Sequence, residues 1–460
     1  MNMSQDVKVA VIGLDCAAPE LVFERFRDEL PNLSRLMTEG AWGPLRSIHP
    51  PITVPAWACM MSGRDPGQLG LYGFRNRKDY SYGGYAIANA QALRDDRVWD
   101  ILSRTGRKSV LLGVPQTYPV RPINGAVVAD FLTPSTQSEY TYPPGLKAEV
   151  ERVSGGYVLD VEGFRTDDKA ALLERIYEKT RKHCAVARHL LTTQAWDFFM
   201  MVEMGVDRIH HGFWSFMDPA HRSYQKGNPF EHAIREYYRY LDGEVGAILD
   251  LLPHDTVVLV VSDHGAKRLD GGICFNEWLI QQGYLTLKDY PDRLTPIDKV
   301  QIDWTRTKAW GDGGYYGRLF LNVKGREPQG LVDPADYEQV RSRLIEQIAQ
   351  MRDHQGNPLG SRAYRPQELY REVRGIAPDL IVYFGDLHWR SVGSIGSRSV
   401  YTFDNDTGPD EANHDWNGIF LLNQHGCRQA GFPPGPVSGL TLYDIAPLVL
   451  RLFDCQPPVV

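Results

Sequence analysis

The stretch TVVLVVSDHG (residues 256–265) decides the fold class, because an unbroken apolar run is followed, after one serine, by an acid and a histidine. A continuous Val and Leu run of this length is typical of a strand buried on both faces, as in parallel sheets covered by helices. Runs of the same character are VAVIGLD (9–15), SVLLGVP (109–115), DFFMMVEMGVD (197–207), DLIVYFGD (379–386) and NGIFLLN (417–423). The sequence therefore predicts a mostly parallel central sheet.

Helical patterns lie between these strands. Apolar residues recur at helical spacing in segments 171–191, 231–252 and 336–353. Because strands and helices alternate, we predict an α/β fold in which helices flank the sheet.

The domain organisation follows from where this alternation weakens. The pattern loosens over 269–378, which we interpret as an inserted cap or substrate region. The core then comprises residues 1–268 and 379–460, with a small helical insertion near 135–190.

Composition narrows the class of protein. The chain has 460 residues, 43% of them hydrophobic, and a net charge of −7, so a large core is expected. There is no basic run that would favour a nucleic-acid partner, and no apolar stretch of the roughly 18 residues typical of a membrane span. The N-terminus lacks the pattern of a secretory signal, and six scattered cysteines without CxxC spacing indicate reduced thiols. We therefore predict a cytoplasmic location, and the oligomeric state stays open.

Metal-ligand residue types cluster around the ends of the predicted strands. They are Asp15, Asp207, His211, Asp263, His264 and His414. In open parallel sheets, ligands bind outside the carboxyl ends of the strands. Three carboxylates and three imidazoles are too many for one tetrahedral zinc but suit two metals with open positions. The mixed oxygen and nitrogen set fits zinc, manganese or iron.

Thr53 stands out within HPPITVPAWACMMSGRDPG (49–67). A Thr before a helical run is usually an N-cap, its hydroxyl bound to backbone N–H groups. It is also placed where an anion binds a helix N-terminus. Beside the acids and histidines, Thr53 becomes the seventh member of the set, a metal-bound hydroxyl deprotonated for nucleophilic attack.

Several motifs occur in the order found in one known family. They are VIGLD, PPITVPAWACMMSGRDPGQLGLYGF, VEMGVDRIHHGFW, VVSDHG, NHDWNGIFLL and LYDIAPLVLRLF. On these motifs the chain resembles the alkaline phosphatase superfamily. The resemblance is to its type I phosphodiesterase/nucleotide pyrophosphatase branch and the predicted phosphohydrolase/phosphomutase relatives. It implies an alkaline-phosphatase-like fold with a cap.

The resemblance also assigns roles to the candidate residues. It implies that Asp207, His211 and His414 hold one metal, and that Asp15, Asp263, His264 and Thr53 hold the other. It selects His211 over the adjacent His210 by spacing. The implied cofactors are two divalent ions, zinc or alternatively manganese. The implied activity is hydrolysis of small phosphate esters, phosphodiesters or nucleotide-like, through a phospho-threonine intermediate.

The chain departs from the family pattern near the nucleophile. Phe74 stands where an Asn binds a phosphoryl oxygen, and Leu69 replaces a His, which leaves Arg75 and Asn76 as the substrate-binding candidates. Tyr315, Tyr316 and Trp214 are further candidates for lining a cleft, although aromatic residues more often pack in cores.

Other functions remain open on the sequence alone. A phosphomutase or a phosphoryl or substituted-phosphoryl transferase would use the same metal site, and monoester is not separated from diester. A non-catalytic metal-binding relative is a second alternative. A sulfatase is disfavoured, because Cys59 and Ser62 do not form its nucleophile motif.

Overall fold

The computed structural model describes residues 7–456. Its strands are β1 (Lys8–Leu14), β2 (Ala41–Arg46), β3 (Arg75–Arg77), β4 (Tyr85–Ile87), β5 (Ser109–Leu112), β6 (Gly125–Val128), β7 (Thr141–Tyr142), β8 (Phe198–Glu203), β9 (Thr256–Val261), β10 (Gly265–Arg268), β11 (Gly271–Cys274), β12 (Ala309–Asp312), β13 (Gly317–Leu321), β14 (Arg362–Tyr364), β15 (Leu380–Tyr383), β16 (Trp389–Val392), β17 (Tyr401–Thr402), β18 (Ala412–Asp415), β19 (Asn417–Leu422) and β20 (Gly435–Pro436).

The α-helices lie between and after these strands. They are α1 (Pro31–Glu39), α2 (Thr53–Ser62), α3 (Pro66–Leu69), α4 (Val98–Arg104), α5 (Leu146–Ser154), α6 (Lys169–Thr193), α7 (Gly205–Met217), α8 (Ala233–Leu249), α9 (Phe275–Gln281), α10 (Tyr337–Ala349), α11 (Pro366–Leu369), α12 (Gln424–Ala430) and α13 (Ile445–Leu452). The helices predicted at 171–191, 231–252 and 336–353 are α6, α8 and α10.

The central sheet has nine strands in the order β20-β2-β19-β9-β1-β8-β5-β6-β7. Its middle five, from β9 to β6, are parallel, and β19 and β7 pair antiparallel at either side. Helices cover both faces. The predicted α/β class with a mostly parallel sheet is confirmed.

The middle strands β8, β1 and β9 are buried on both faces because nearly all of their residues are apolar. In β1, Val9 and Val11 join the cluster that includes helices α2, α4 and α13. Ile12 and Leu14 join the cluster on the other face, with α1, α6, α7 and α8. Successive strand residues point to opposite faces, so a continuous hydrophobic run is needed to fill both layers.

A second, antiparallel sheet has the order β12-β13-β15-β14 and its own hydrophobic cluster, which includes residues of α10. The strand in DLIVYFGD belongs here: β15 pairs with β13 and β14. The prediction that this strand is part of the parallel sheet was therefore wrong, because an apolar run indicates burial but not the neighbouring strand. The division into core and cap stays a proposal, and this pairing favours a boundary after Tyr383.

Over residues 7–456, no helix is both long and apolar enough to cross a bilayer.

Candidate metal centre

The centre lies at the carboxyl ends of the three middle strands. Asp15 follows β1, and Asp263 and His264 follow β9. Asp207 was predicted to close the strand over 197–207, but β8 ends at Glu203 and Asp207 lies in the first turn of α7. Gly205 begins this helix, where the N–H end of the helix favours a negative charge.

Asp207, His211 and His414, here called the Asp207 triad, have ligand atoms within 4.8 Å of one another. Their positions on α7 place Asp207 and His211 on one face, with Oδ1 and Nε2 3.2 Å apart. His414 comes from β18, which pairs with β10 directly after His264. Its Nε2 lies 3.3 Å from Nε2 of His211.

Asp15, Asp263 and His264 form the second group, the Asp263 triad. His264 Nε2 lies 3.2 Å from Asp263 Oδ2 and 3.8 Å from Asp15 Oδ1. The other oxygen of each acid is held by the protein: Trp57 Nε1–H donates to Asp15 and the Cys16 N–H donates to Asp263. Cys16 adopts φ 66°, a left-handed conformation that is uncommon for non-glycine residues.

Each histidine is oriented through its Nδ1 atom. Nδ1–H of His264 donates to the Gly265 carbonyl over 3.1 Å, and that of His414 to the Pro51 carbonyl over 2.9 Å. Nδ1–H of His211 donates to Asp410 over 2.6 Å. With these tautomers, every Nε2 presents a lone pair to the centre, as metal ligation requires.

The unpaired buried atoms fit two cations. Asp15 Oδ1, Asp207 Oδ1 and Asp263 Oδ2 are buried, with no hydrogen-bond partner among residues 7–456. Two Nε2 lone pairs 3.3 Å apart also repel unless a cation or a proton lies near them. The donor set of carboxylate oxygens and imidazole nitrogens suits zinc or manganese and does not discriminate between them.

The pKa shifts of the acids and of His211 also favour bound cations at this centre. Burial, together with the negative charge of Asp207, raises the pKa of Asp15 well above its usual value. Burial and the charge of Asp15 do the same to the pKa of Asp263. Burial opposes charge on His211, but Asp410 and Asp207 raise its pKa to about 9. The centre thus holds excess negative charge that bound cations would compensate.

Thr53 is the first residue of α2, and Ile52 is the N-cap, with no side-chain capping bond. The interpretation of Thr53 as an N-cap was therefore wrong, because its hydroxyl does not close the helix end. The buried hydroxyl instead donates to Nε2 of His264 over 3.2 Å. Ala56 N–H bonds to the Ile52 carbonyl, while the N–H groups of Thr53 and Val54 lack acceptors within residues 7–456.

The structure distinguishes His211 from the adjacent His210. It also distinguishes the two substrate-binding candidates, Arg75 and Asn76. His210 Nε2 accepts from the Tyr238 hydroxyl, away from the centre. Asn76 accepts from Tyr72 N–H and donates to the Gly73 carbonyl, so its amide closes a turn. Arg75 is the candidate that lines a cleft of about 890 Å³.

Of the three aromatic candidates, two line the cleft and the third packs in the hydrophobic core. Tyr315 stacks on His414 with ring centroids 4.1 Å apart and lines the cleft together with Tyr316 and Phe74. Trp214 packs against His210 in the main hydrophobic cluster. The cleft therefore approaches the Asp207 triad along the Tyr315 ring.

Asp410 was missed by the sequence analysis. It is buried, accepts from His211, and pairs with Arg165 and Arg390. Burial alone would raise the pKa of Asp410, but His211 holds this pKa well below its usual value. A metal-ligating His nearly always donates its other nitrogen to such a group. An acid in the loop before His414 was the available signal.

Replacing Asp410 tests this role. We expect Asp410→Asn to weaken metal binding at the Asp207 triad by about 10- to 100-fold, because the charge that fixes the His211 ring is lost. Competition with a chromogenic zinc chelator measures this affinity. Asp406→Asn is the control, because Asp406 accepts from Ser394 and does not contact His211. Equal affinities in Asp410→Asn and wild type would contradict the assignment.

Comparison with known proteins identifies the family. The sequence profile of type I phosphodiesterase/nucleotide pyrophosphatase matches residues 9–415. No curated protein sequence matches the chain. Among solved structures, phosphonoacetate hydrolase from Sinorhizobium meliloti 1021 in complex with phosphonoformate is 15% identical with a TM-score of 0.61, over 97% of this chain and 95% of that one.

Two ectonucleotide pyrophosphatase/phosphodiesterase 5 structures have a similar fold. The human protein is 12% identical with a TM-score of 0.53, over 98% of this chain and 96% of that one. An inactive murine form in complex with AMP has the same identity, coverage and TM-score. The family match supports phosphate-ester hydrolysis. The chain belongs to the type I phosphodiesterase/nucleotide pyrophosphatase family.

Proposed function

We propose that this protein is a two-metal hydrolase of phosphodiesters or nucleotide-like esters that acts through a phospho-threonine intermediate on Thr53. The observation that best supports this proposal is the position of the Thr53 hydroxyl, 3.2 Å from His264 Nε2. The ring of His264 stacks on that of His414 at 3.8 Å, so the Asp263 and Asp207 triads adjoin each other. The nucleophile candidate therefore lies beside both candidate metal sites.

The bound cations and the residues of the site have separate roles in the proposed reaction. Two bound divalent cations, zinc or alternatively manganese, would lower the pKa of the Thr53 hydroxyl and stabilise the charge on the attacking and leaving oxygens. Thr53 Oγ1 attacks phosphorus as the leaving alcohol departs, and water later attacks the phospho-threonine. The free N–H groups of Thr53 and Val54 are donors for a phosphoryl oxygen at the helix start. Phe74, at the position of the family Asn, supplies no such donor.

The diester preference rests on the cleft and the family. A cleft of about 890 Å³ leaves room for a second substituent on phosphorus. The match to the phosphodiesterase profile supports this class, as does the AMP complex of the structurally similar murine protein. The phosphonoformate complex of the bacterial relative supports binding of a phosphorus oxyanion.

The proposal is tested by assaying metal-free and metal-reloaded protein. The three substrates are p-nitrophenyl phosphate, bis-p-nitrophenyl phosphate and the p-nitrophenyl ester of thymidine 5′-monophosphate. We expect turnover only after reloading with zinc or manganese, and faster turnover of the two diesters. Protein that binds two metals per chain and hydrolyses none of the three would contradict the proposed hydrolase.

We also propose a cytoplasmic location. All six cysteines are free and five of them are buried, which suits a reducing compartment.

A further inference from the structure

Two arginines beside the metal centre share one carboxylate. Arg165 Nε and Arg390 Nη1 donate to the same Oδ2 of Asp410, over 3.0 Å and 3.3 Å. The other oxygen of Asp410 accepts from His211. One negative charge therefore faces two guanidinium groups, and positive charge remains uncompensated.

Arg390 has unused donors although it is nearly buried. Its side chain is 6% exposed, and its Nε has no hydrogen-bond partner among residues 7–456. Arg390 nevertheless lines the same cleft as Arg165. A buried cation with free donors that faces a cleft is a site for an anionic group of a ligand.

The position of Arg390 separates it from the reacting phosphorus. Its Cζ lies 5.7 Å from the Tyr315 ring, which is 4.1 Å from the His414 ring, so it lies within about 10 Å of the Asp207 triad. The Tyr315 ring and the Asp410 carboxylate lie between the guanidinium and that triad. The group it binds is therefore a different part of the substrate from the scissile phosphoryl group.

Other charged residues also line the cleft. Arg75 is exposed on its wall, and its side chain has no acceptor within the described residues. The cleft acids Asp312 and Asp406 have partners of their own, Arg318 and a serine respectively. Asp298 is exposed. The cleft thus carries charges of both signs without an ionic partner, and the positive ones lie at Arg75 and at the two arginines that share Asp410.

We propose that the substrate carries a second anionic group, a carboxylate or a phosphate, which Arg390 and Arg165 bind. Guanidinium groups bind both of these oxyanions through paired N–H donors. This inference rests on the proposed hydrolase function and deepens it by naming a feature of the substrate. Arg390 and Arg165 are then specificity-determining residues, and they do not contact the reacting atoms.

Matched diesters test the inference. Phenyl p-nitrophenyl phosphate is compared with its 4-carboxyphenyl and 4-phosphonophenyl analogues, which share the leaving group and differ only in the distal anion. In metal-loaded wild type, we expect at least one charged ester to exceed the phenyl ester in kcat/KM by about tenfold. The better of the two charged esters distinguishes a carboxylate from a phosphate. Arg390→Gln should bring this ratio close to one.

A second variant and a control make the test decisive. Arg165 is 24% exposed in its side chain, so Arg165→Gln decides the matter if Arg390→Gln does not fold. Arg35→Gln changes an exposed arginine of α1 outside the cleft and should keep the wild-type ratio. Wild-type ratios near one, or a ratio preserved in both cleft variants, would overturn this inference alone. Failure to cleave even the phenyl ester would overturn the proposed hydrolase and this inference with it.

Discussion

Thr53→Ala is expected to lower kcat for the p-nitrophenyl diesters by about 10⁴-fold or more, because the attacking oxygen is removed. Both triads keep their protein ligands in this variant, so the metal content should stay at two per chain. Thr53→Ser retains the hydroxyl and should keep activity within about tenfold of wild type. Steady-state kinetics with a metal assay of each sample measures both effects.

A matched control separates chemistry from folding. Thr133 is also a buried threonine, and it lies in the loop between β6 and β7. Thr133→Ala should leave kcat close to wild type. If Thr53→Ala retained more than about a tenth of the wild-type kcat with two metals bound, Thr53 would not be the nucleophile.

Metal removal is expected to have the largest effect on stability. At free metal about 100-fold above each Kd, two sites contribute about 5 kcal/mol to the free energy of unfolding. Denaturant unfolding of metal-free and reloaded protein, at matched protein concentration, measures this difference. An unchanged midpoint would contradict metal binding at the two triads.

The sign of the Asp263→Asn effect should reverse between the two states. In the metal-free protein, the substitution removes a buried charge whose Oδ2 lacks a hydrogen-bond partner in the described part of the chain. It should raise the free energy of unfolding by about 1–3 kcal/mol. The amide still accepts from Cys16 N–H and gains a donor toward His264. In the metal-loaded protein, the variant loses a ligand and should be less stable than wild type. Asp130→Asn, at a buried acid that accepts backbone N–H groups, should destabilise both states alike.

The sequence predicted those parts of the fold that depend on local pattern. The apolar runs of β1 and β9 predicted central strands, and Asp15, Asp263 and His264 follow them at the edge where ligands of parallel sheets bind. Spacing predicted that Asp207 and His211 share a helix face. The assignment of these residues as metal ligands stays a prediction.

The remaining features depend on long-range contacts, which local pattern does not encode. Asp410 lies in a polar loop, and its hydrogen bond with His211 joins positions 199 residues apart in the sequence. Arg390 lies on a strand of a small sheet whose pairing was not predictable from the apolar pattern. The strand β15 shows the same limit, because its composition suits either sheet. The N-cap interpretation of Thr53 was wrong for a local reason instead, because it placed the start of helix α2 one residue too late.

The configuration at phosphorus tests the central claim most directly. One diastereomer of the phosphorothioate analogue of the thymidine p-nitrophenyl ester would be hydrolysed by metal-loaded enzyme in ¹⁸O-labelled water, and the product configuration determined. Two in-line displacements, first by Thr53 and then by water, predict net retention. Net inversion would show a single direct attack by water and would contradict the phospho-threonine mechanism.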